Sequence, residues 1–111
     1  MMKEEVVSIL WRVIDNDIPL VNDDMTTFLI KDGEITEEDL KVWNDAVKKI
    51  KEAYKKIYSN ENEVQSLLSS SLELLSSIKP KKPFPPEVRI RFEELKASIS
   101  KCLELLKNPS S

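Results

Sequence analysis

The stretch from Thr36 to Ser59 constrains the fold of this chain more than any other. Its apolar residues recur at intervals of three and four, which places them on one stripe of an α-helix. The pattern predicts an amphipathic helix over residues 37–59 whose apolar stripe packs into a core. That stripe consists of Leu40, Trp43, Val47, Ile50, Tyr54 and Ile57.

Capping signals mark the start of this helix and of the next one. Thr36 is a good N-cap residue, and Asp39 follows three residues later, where its carboxylate can complete a capping box. Asn60 and Glu63 repeat that spacing, so a further helix is predicted over residues 61–78. The connection between the two helices is short, which predicts an antiparallel hairpin.

The rest of the chain is also predicted to be helical, because it has one glycine and lacks the alternating polarity of β-strands. We expect a single all-α domain over residues 1–111, a compact bundle of four main helices plus one short helix. The remaining helices are predicted at 3–15, 23–31 and 86–107, with a break before Pro19. A stiff proline-rich spacer, residues 79–86, precedes the last helix and is compatible with either direction for it.

Composition excludes several classes of function. The chain has no histidine and a single cysteine, so histidine-based triads and cysteine–histidine zinc sites are excluded. The apolar stripe predicted for the last helix consists of Val88, Phe92, Leu95, Ile99, Cys102 and Leu106. The place of Cys102 in this stripe indicates a core residue. We therefore expect a protein that is not an enzyme and has no cofactor and no metal site. The abundance of Lys, Glu and Ile is typical of thermophile proteins, although an AT-rich genome favours similar residues.

The N-terminal sequence lacks the basic region and cleavage site of a signal peptide. No apolar run approaches the ~20 residues needed to span a bilayer. A lone cysteine also does not suit a disulfide-stabilised secreted protein. We expect a cytoplasmic protein that does not enter a membrane.

Two acidic regions contain residue types that can bind metal ions. Residues 32–39 resemble the second half of a calcium-binding EF-hand loop, but Phe28 and Ile30 would occupy its first ligand positions and offer no oxygen ligand. A helix stop at Gly33 followed by the Thr36 cap explains this segment better. The second region contains Asp15, Asp17, Asp23 and Asp24, which we interpret as turn and capping residues.

Charge is distributed unevenly along the chain. Residues 1–40 contain three basic and eleven acidic residues, whereas residues 79–111 contain eight basic and four acidic ones. The basic spacer suits phosphate, and the lysine face of the third helix adds positive charge. One hypothesis is therefore a nucleic-acid-binding module, and another is that the acidic residues 1–40 mimic nucleic acid. The candidate nucleic-acid contacts are Lys79, Lys81, Lys82, Phe84, Arg89 and Arg91.

The outer face of the fourth helix is unusual because it carries serines where the third helix carries lysine and glutamate. Between Glu63 and Lys79 the only charged residue is Glu73. Depletion of charge is typical of an interface, so we expect this face to be covered, either by the first helix or by a partner. The candidate interface is Ser66, Ser69, Ser70, Leu72, Ser76 and Ser77. The favoured function is a small interaction protein, an accessory or scaffold subunit that binds another protein or a second copy of itself.

Overall fold

The computed structural model describes residues 2–31 and 33–107, except for the side chains of residues 2 and 28–31. The all-α prediction is confirmed in this part of the chain, because every regular element in it is helical. The elements are α1 (Met2–Arg12), a π-turn (Val13–Asp17), α2 (Ile18–Lys31), α3 (Glu37–Lys56), α4 (Glu61–Ser77) and α5 (Pro86–Lys107).

The break predicted before Pro19, which would separate helices 3–15 and 23–31, is wrong. The π-turn joins α1 directly to α2, and the backbone N–H of Ile18 donates to the carbonyl of Val13, five residues earlier. In a regular α-helix the ring of Pro19 would clash with the carbonyl four residues before it. A π-turn widens the helix at this point, so the helix continues past the proline. The predicted short helix is thus the second half of one long helical body.

The helical bodies form an up-down-up-down bundle. Lys3 lies near Tyr58 and the indole N–H of Trp43 donates to Asn22, so α1–α2 runs antiparallel to α3. The hairpin turn makes α4 antiparallel to α3. At the other side of α1–α2, Arg91 binds Asp24 near the start of α5. Residues late in α5 instead line a groove with residues of α1, so α5 also runs antiparallel to α1–α2 and therefore antiparallel to α4.

The neighbours of each helix follow from this arrangement. The segment α1–α2 packs against α3 and α5, and α4 packs against the same two helices. Helices α1 and α4 therefore occupy opposite corners of the bundle. The core is filled mainly by side chains of Val, Leu and Ile from all four corners, together with Trp43.

The buried stripe of α3 is rotated relative to the predicted one. Ala46 and Ala53 are fully buried beside Trp43 and Ile50, whereas the predicted core residue Val47 is only half-buried. The small alanine side chains permit a close approach of α4, and α3–α4 is the most extensive helix pair. The periodicity of large apolar residues did not reveal these alanines. The stripe predicted for α5 is confirmed, and all its residues are buried: Val88, Phe92, Leu95, Ile99, Cys102 and Leu106.

The capping predictions at the start of α3 are confirmed. The backbone N–H of Asp39 donates to the hydroxyl of Thr36, and the N–H of Thr36 donates to the carboxylate of Asp39, both at 3.0 Å. Gly33 has a φ of 59°, the left-handed conformation expected after a helix end. At the start of α4, Asn60 accepts from the N–H of Glu63 at 3.1 Å. Helix α3 ends at Lys56, three residues before the predicted end, because turn amides bond to its carbonyl.

Candidate interaction surfaces

The serine face of α4, defined by the six residues of the candidate interface, lies on the outside of the bundle. Ser66, Ser76 and Ser77 are exposed, while Ser69 and Leu72 are half-buried towards the edges of the helix. Helix α1 does not cover this face, because it occupies the opposite corner and packs on α3 and α5. The alternative that the first helix covers the serines is therefore wrong. The remaining serine of the face, Ser70, is half-buried.

A shallow groove runs beside the serine face, between α4 and α5. Leu72 and Leu103 contribute its apolar walls, and Ser69 and Ser76 line its α4 side. Lys107 closes one end. The groove has a volume of about 380 Å³. The α4 wall combines small serines with Leu72 and Glu73, and the α5 wall carries Leu103, so the groove is accessible to a side chain or helix of another molecule.

The proline-rich spacer is attached to the bundle at several points. The backbone N–H of Lys81 donates to the carbonyl of Glu34 at 2.8 Å. The ring of Phe84 packs edge-on against Phe92, with 6.0 Å between the ring centroids. Phe84 therefore contacts the bundle and is half-buried. The sequence suggested that it is either a stacking ring for a base or an anchor for the spacer, and its packing is that of an anchor.

Arg91 forms an ion pair with Asp24, which belongs to the acidic residues 1–40. Its guanidinium donates two hydrogen bonds to the carboxylate of Asp24, at 2.8 and 2.9 Å. This hydrogen bond raises the pKa of Arg91 further above its ordinary value. The spacer thus lies at the end of the bundle that also holds the acidic residues of α2 and the start of α3. Four of the six candidate nucleic-acid contacts remain exposed without an ion pair to a described residue: Lys79, Lys81, Lys82 and Arg89.

The lysine face of α3 is separate from the spacer. Its C-terminal part lies at the opposite end of the bundle, because α3 is about 30 Å long and the spacer contacts the loop before its N-terminus. Lys56 donates to Glu63 at 2.6 Å, and this hydrogen bond raises the pKa of Lys56. The exposed lysines of this face are Lys41, Lys48, Lys51 and Lys55. The structure therefore separates the spacer from the C-terminal part of this lysine face.

An exposed aromatic cluster at the α1–α3 contact was not predicted. Trp11 is 54% exposed and Tyr58 is 66% exposed. The rings of Trp11 and Tyr54 lie with their centroids 6.3 Å apart, and Lys3 lies 6.0 Å from the centre of the Tyr58 ring. The sequence signal was present in the position of Tyr58, which falls outside the apolar stripe but one turn after Tyr54.

A second groove lies between α5 and the long first helix. It has a volume of about 550 Å³ and opens beside the π-turn. Arg12 and Lys101 line it together with Asp17 and Glu94, so its walls carry charges of both signs. This mixture of charges indicates no particular chemistry.

Acidic residues from both candidate metal sites bind groups of the protein itself. Asp39 caps α3, and Asp24 binds Arg91. The interpretation of Asp23 as a capping residue is wrong, since it lies within α2. Asp32 lies outside the described residues, as do the side chains of Phe28 and Ile30. Among the described residues there is no group of three or more acidic or cysteine side chains placed to hold a metal ion.

Comparisons with protein-family models, with curated proteins and with solved structures found no match to this chain. Within the described residues, none of the helices has both the length and the apolarity required to cross a lipid bilayer.

Proposed function

We propose that this protein is a non-enzymatic interaction protein of the cytoplasm, an accessory or scaffold subunit that binds another protein chain through the serine face of α4. The observation that carries this proposal is the combination of low charge and lack of cover. In a chain with 33% charged residues, Glu73 is the only charge between Glu63 and Lys79, and none of the described helices other than α4 lies over this face.

The choice of serine is informative because nothing local favours it. Serine forms helices less well than Lys, Glu or Ala, so an exposed helix with no partner gains nothing from it. Small side chains allow another backbone to approach closely, and the cores of protein interfaces are depleted in charge. Leu72 and Leu103 in the adjacent groove supply apolar surface for the same contact. A helix laid along this groove would cover the exposed part of Leu72 and satisfy the serine hydroxyls at its rim.

The experiment introduces charge on the groove side of the face with the double variant Ser69→Glu/Ser76→Glu. Ser76 is exposed and Ser69 is half-buried at the groove edge, so the monomer is expected to fold with a Tm within a few degrees of wild type. If the wild-type protein self-associates, sedimentation equilibrium should show a dimer for wild type and a monomer for the variant. If it binds a different protein, the partners recovered by affinity purification should be lost with the variant.

A matched control places the same charges elsewhere. Ser8 on α1 and Asn44 on α3 are both exposed and lie outside the serine face. Ser8→Glu/Asn44→Glu should leave association unchanged. Equal association of all three proteins would refute the proposed interface, and so would a loss of association in the control alone.

A further inference from the structure

We propose that the surface shared by α1 and α3 binds single-stranded nucleic acid by stacking bases on exposed rings and pairing phosphates with a row of lysines. This surface is distinct from the serine face, which lies at the opposite corner of the bundle, and from the proline-rich spacer. We call it the aromatic–lysine surface. It consists of Trp11, Tyr54, Tyr58, Lys48, Lys51 and Lys55.

Two of the three rings of this surface are exposed to solvent. Trp11 and Tyr58 expose more than half of their surface, although the bundle core is complete without them. Half-buried Tyr54 supports the indole of Trp11, with an angle of 35° between the two ring planes. Every nucleobase has a flat π-face, so exposed rings at a fixed position form a stacking platform that does not depend on sequence.

The lysines follow one flank of α3 and continue the line of the rings. Lys48, Lys51 and Lys55 are spaced by three and four residues along α3, so they are neighbours on its surface. Tyr58 follows three residues later, in the turn after the helix. All three lysines are exposed and none forms an ion pair with a described residue. The nearest carboxylate on this part of α3, Glu52, is bound by Lys56 at 3.6 Å.

Acidic residues limit the extent of the surface on its α1 side. Asp15 stands about one turn after Trp11, and Glu4 stands about two turns before it. A polyanion would therefore follow the α3 lysines and reach across only to the Trp11 ring. The acidic majority of residues 1–40 lies towards the other end of the bundle, where Arg91 and the spacer face it.

The chemistry of the surface favours nucleic acid over a protein partner. Cores of protein interfaces are depleted in lysine, whereas grooves that bind single strands combine positive charge with aromatic rings. Here the lysines of α3 lie beside the exposed rings of Trp11 on α1 and Tyr58 in the turn after α3. A duplex keeps its bases stacked inside, so it can use the lysines but not the rings, and we expect a preference for single strands.

The first measurement is a titration of the full chain with a fluorescently labelled oligothymidylate and with a matched duplex, at low and at moderate salt. Single-strand binding should be the tighter and should weaken as salt rises, because each neutralised phosphate releases a counterion. Intrinsic fluorescence supplies a second readout, since Trp43 is fully buried and Trp11 is exposed. Base stacking should quench the Trp11 emission, and the quenching should disappear in Trp11→Phe, with Trp43 left as the remaining indole.

Variants then separate the two parts of the surface. Lys48→Ala/Lys51→Ala/Lys55→Ala should flatten the dependence of log K on log salt by about two units, since each phosphate contact to a single strand contributes about 0.7. Trp11→Ala and Tyr58→Ala should each weaken binding by about tenfold or more with the salt slope unchanged. Circular dichroism should show wild-type helix content for all of them, because the substituted side chains are exposed.

The matched control is the triple change Lys81→Ala/Lys82→Ala/Arg89→Ala in the spacer region, which removes the same charge at the other end of the bundle. It should leave affinity and slope close to those of wild type. No binding at low salt would overturn the proposal, as would equal effects of the two triple variants. Equal quenching of Trp11 by polyglutamate would also overturn it and would assign the surface to an acidic protein segment.

Discussion

At Cys102, burial changes the chemistry of a side chain that the sequence already placed in the core. Desolvation raises the pKa of the thiol from 9.0 to about 12, and the carboxylate of Glu5 adds to the rise because it repels the thiolate. A thiol that stays protonated is a poor nucleophile, so this cysteine acts as a small apolar residue of α5. The same shift links folding to pH.

We expect the free energy of unfolding to fall between pH 9 and pH 12 because of this thiol. In the unfolded chain it ionises near its ordinary pKa of 9.0, while in the folded chain it keeps its proton up to about pH 12. The unfolded state then binds fewer protons, so stability is complete below pH 9 and decreases as pH rises. Urea unfolding of wild type and Cys102→Ala at pH 8 and pH 10.5 should show the larger decrease for wild type. Identical decreases would mean that the thiol ionises alike in both states.

At the scale of single elements, the sequence predicted helices well where one local rule decided their form. The caps of α3 and the stripe of α5 follow from residue spacing alone, and both agree with the structure. The long first helix was not recognised because two rules conflict there. Proline usually ends a helix, but a wider turn relieves the clash that it causes. The choice between these outcomes depends on tertiary packing, which keeps both halves of the helix against α3 and α5.

A sequence signal for the π-turn does exist in the buried residues of the first helix. They are spaced by 4, 3, 5, 3 and 4, and the interval of five spans the π-turn. A π-turn places residues five apart on the same side, so it absorbs one extra residue and keeps the stripe continuous. The buried residues are Val6, Leu10, Val13, Ile18, Val21 and Met25. The candidate interaction surfaces were harder to predict, since exposure of Trp11 depends on which helix lies beside it.

This account predicts that the extra residue can be removed. Deleting Asn16 shortens the interval of five to four, and replacing Pro19 by alanine restores the missing N–H. The double change should give a regular α-helix with the same buried stripe, and a stability at least that of wild type. Deletion of Asn16 alone should be about 3 kcal/mol less stable than the double change, since proline then stands inside an α-helix. Thermal unfolding of the three proteins measures these differences. If the double variant fails to fold, the π-turn does not serve to accommodate one extra residue between Val13 and Ile18.

At the scale of the whole molecule, the bundle is not uniformly packed. Helices α3 and α4 form the most extensive pair, whereas α2 has fewer contacts with α3 and α5. Two polar interactions connect α2 to the neighbouring helices: the Trp43–Asn22 hydrogen bond of 2.9 Å and the Asp24–Arg91 ion pair. Regions with fewer contacts can open locally at a lower free energy than global unfolding requires. We therefore expect α2 to open more readily than the α3–α4 hairpin.

The amides of α2 should therefore exchange faster than those of the other helices. Loss of the Asp24–Arg91 ion pair should accelerate exchange in α2 alone. Arg91→Met removes both hydrogen bonds to Asp24, whose side chain is only 14% exposed and is left without its cation. We expect amides of α2 to exchange several-fold faster, because an unpaired, partly buried carboxylate favours the open state. Arg89→Met, at an exposed neighbouring position, is the matched control and should change nothing. If Arg91→Met instead accelerates exchange equally in α2, α3 and α4, the bundle opens as one unit and the ion pair stabilises the whole molecule rather than one end of it.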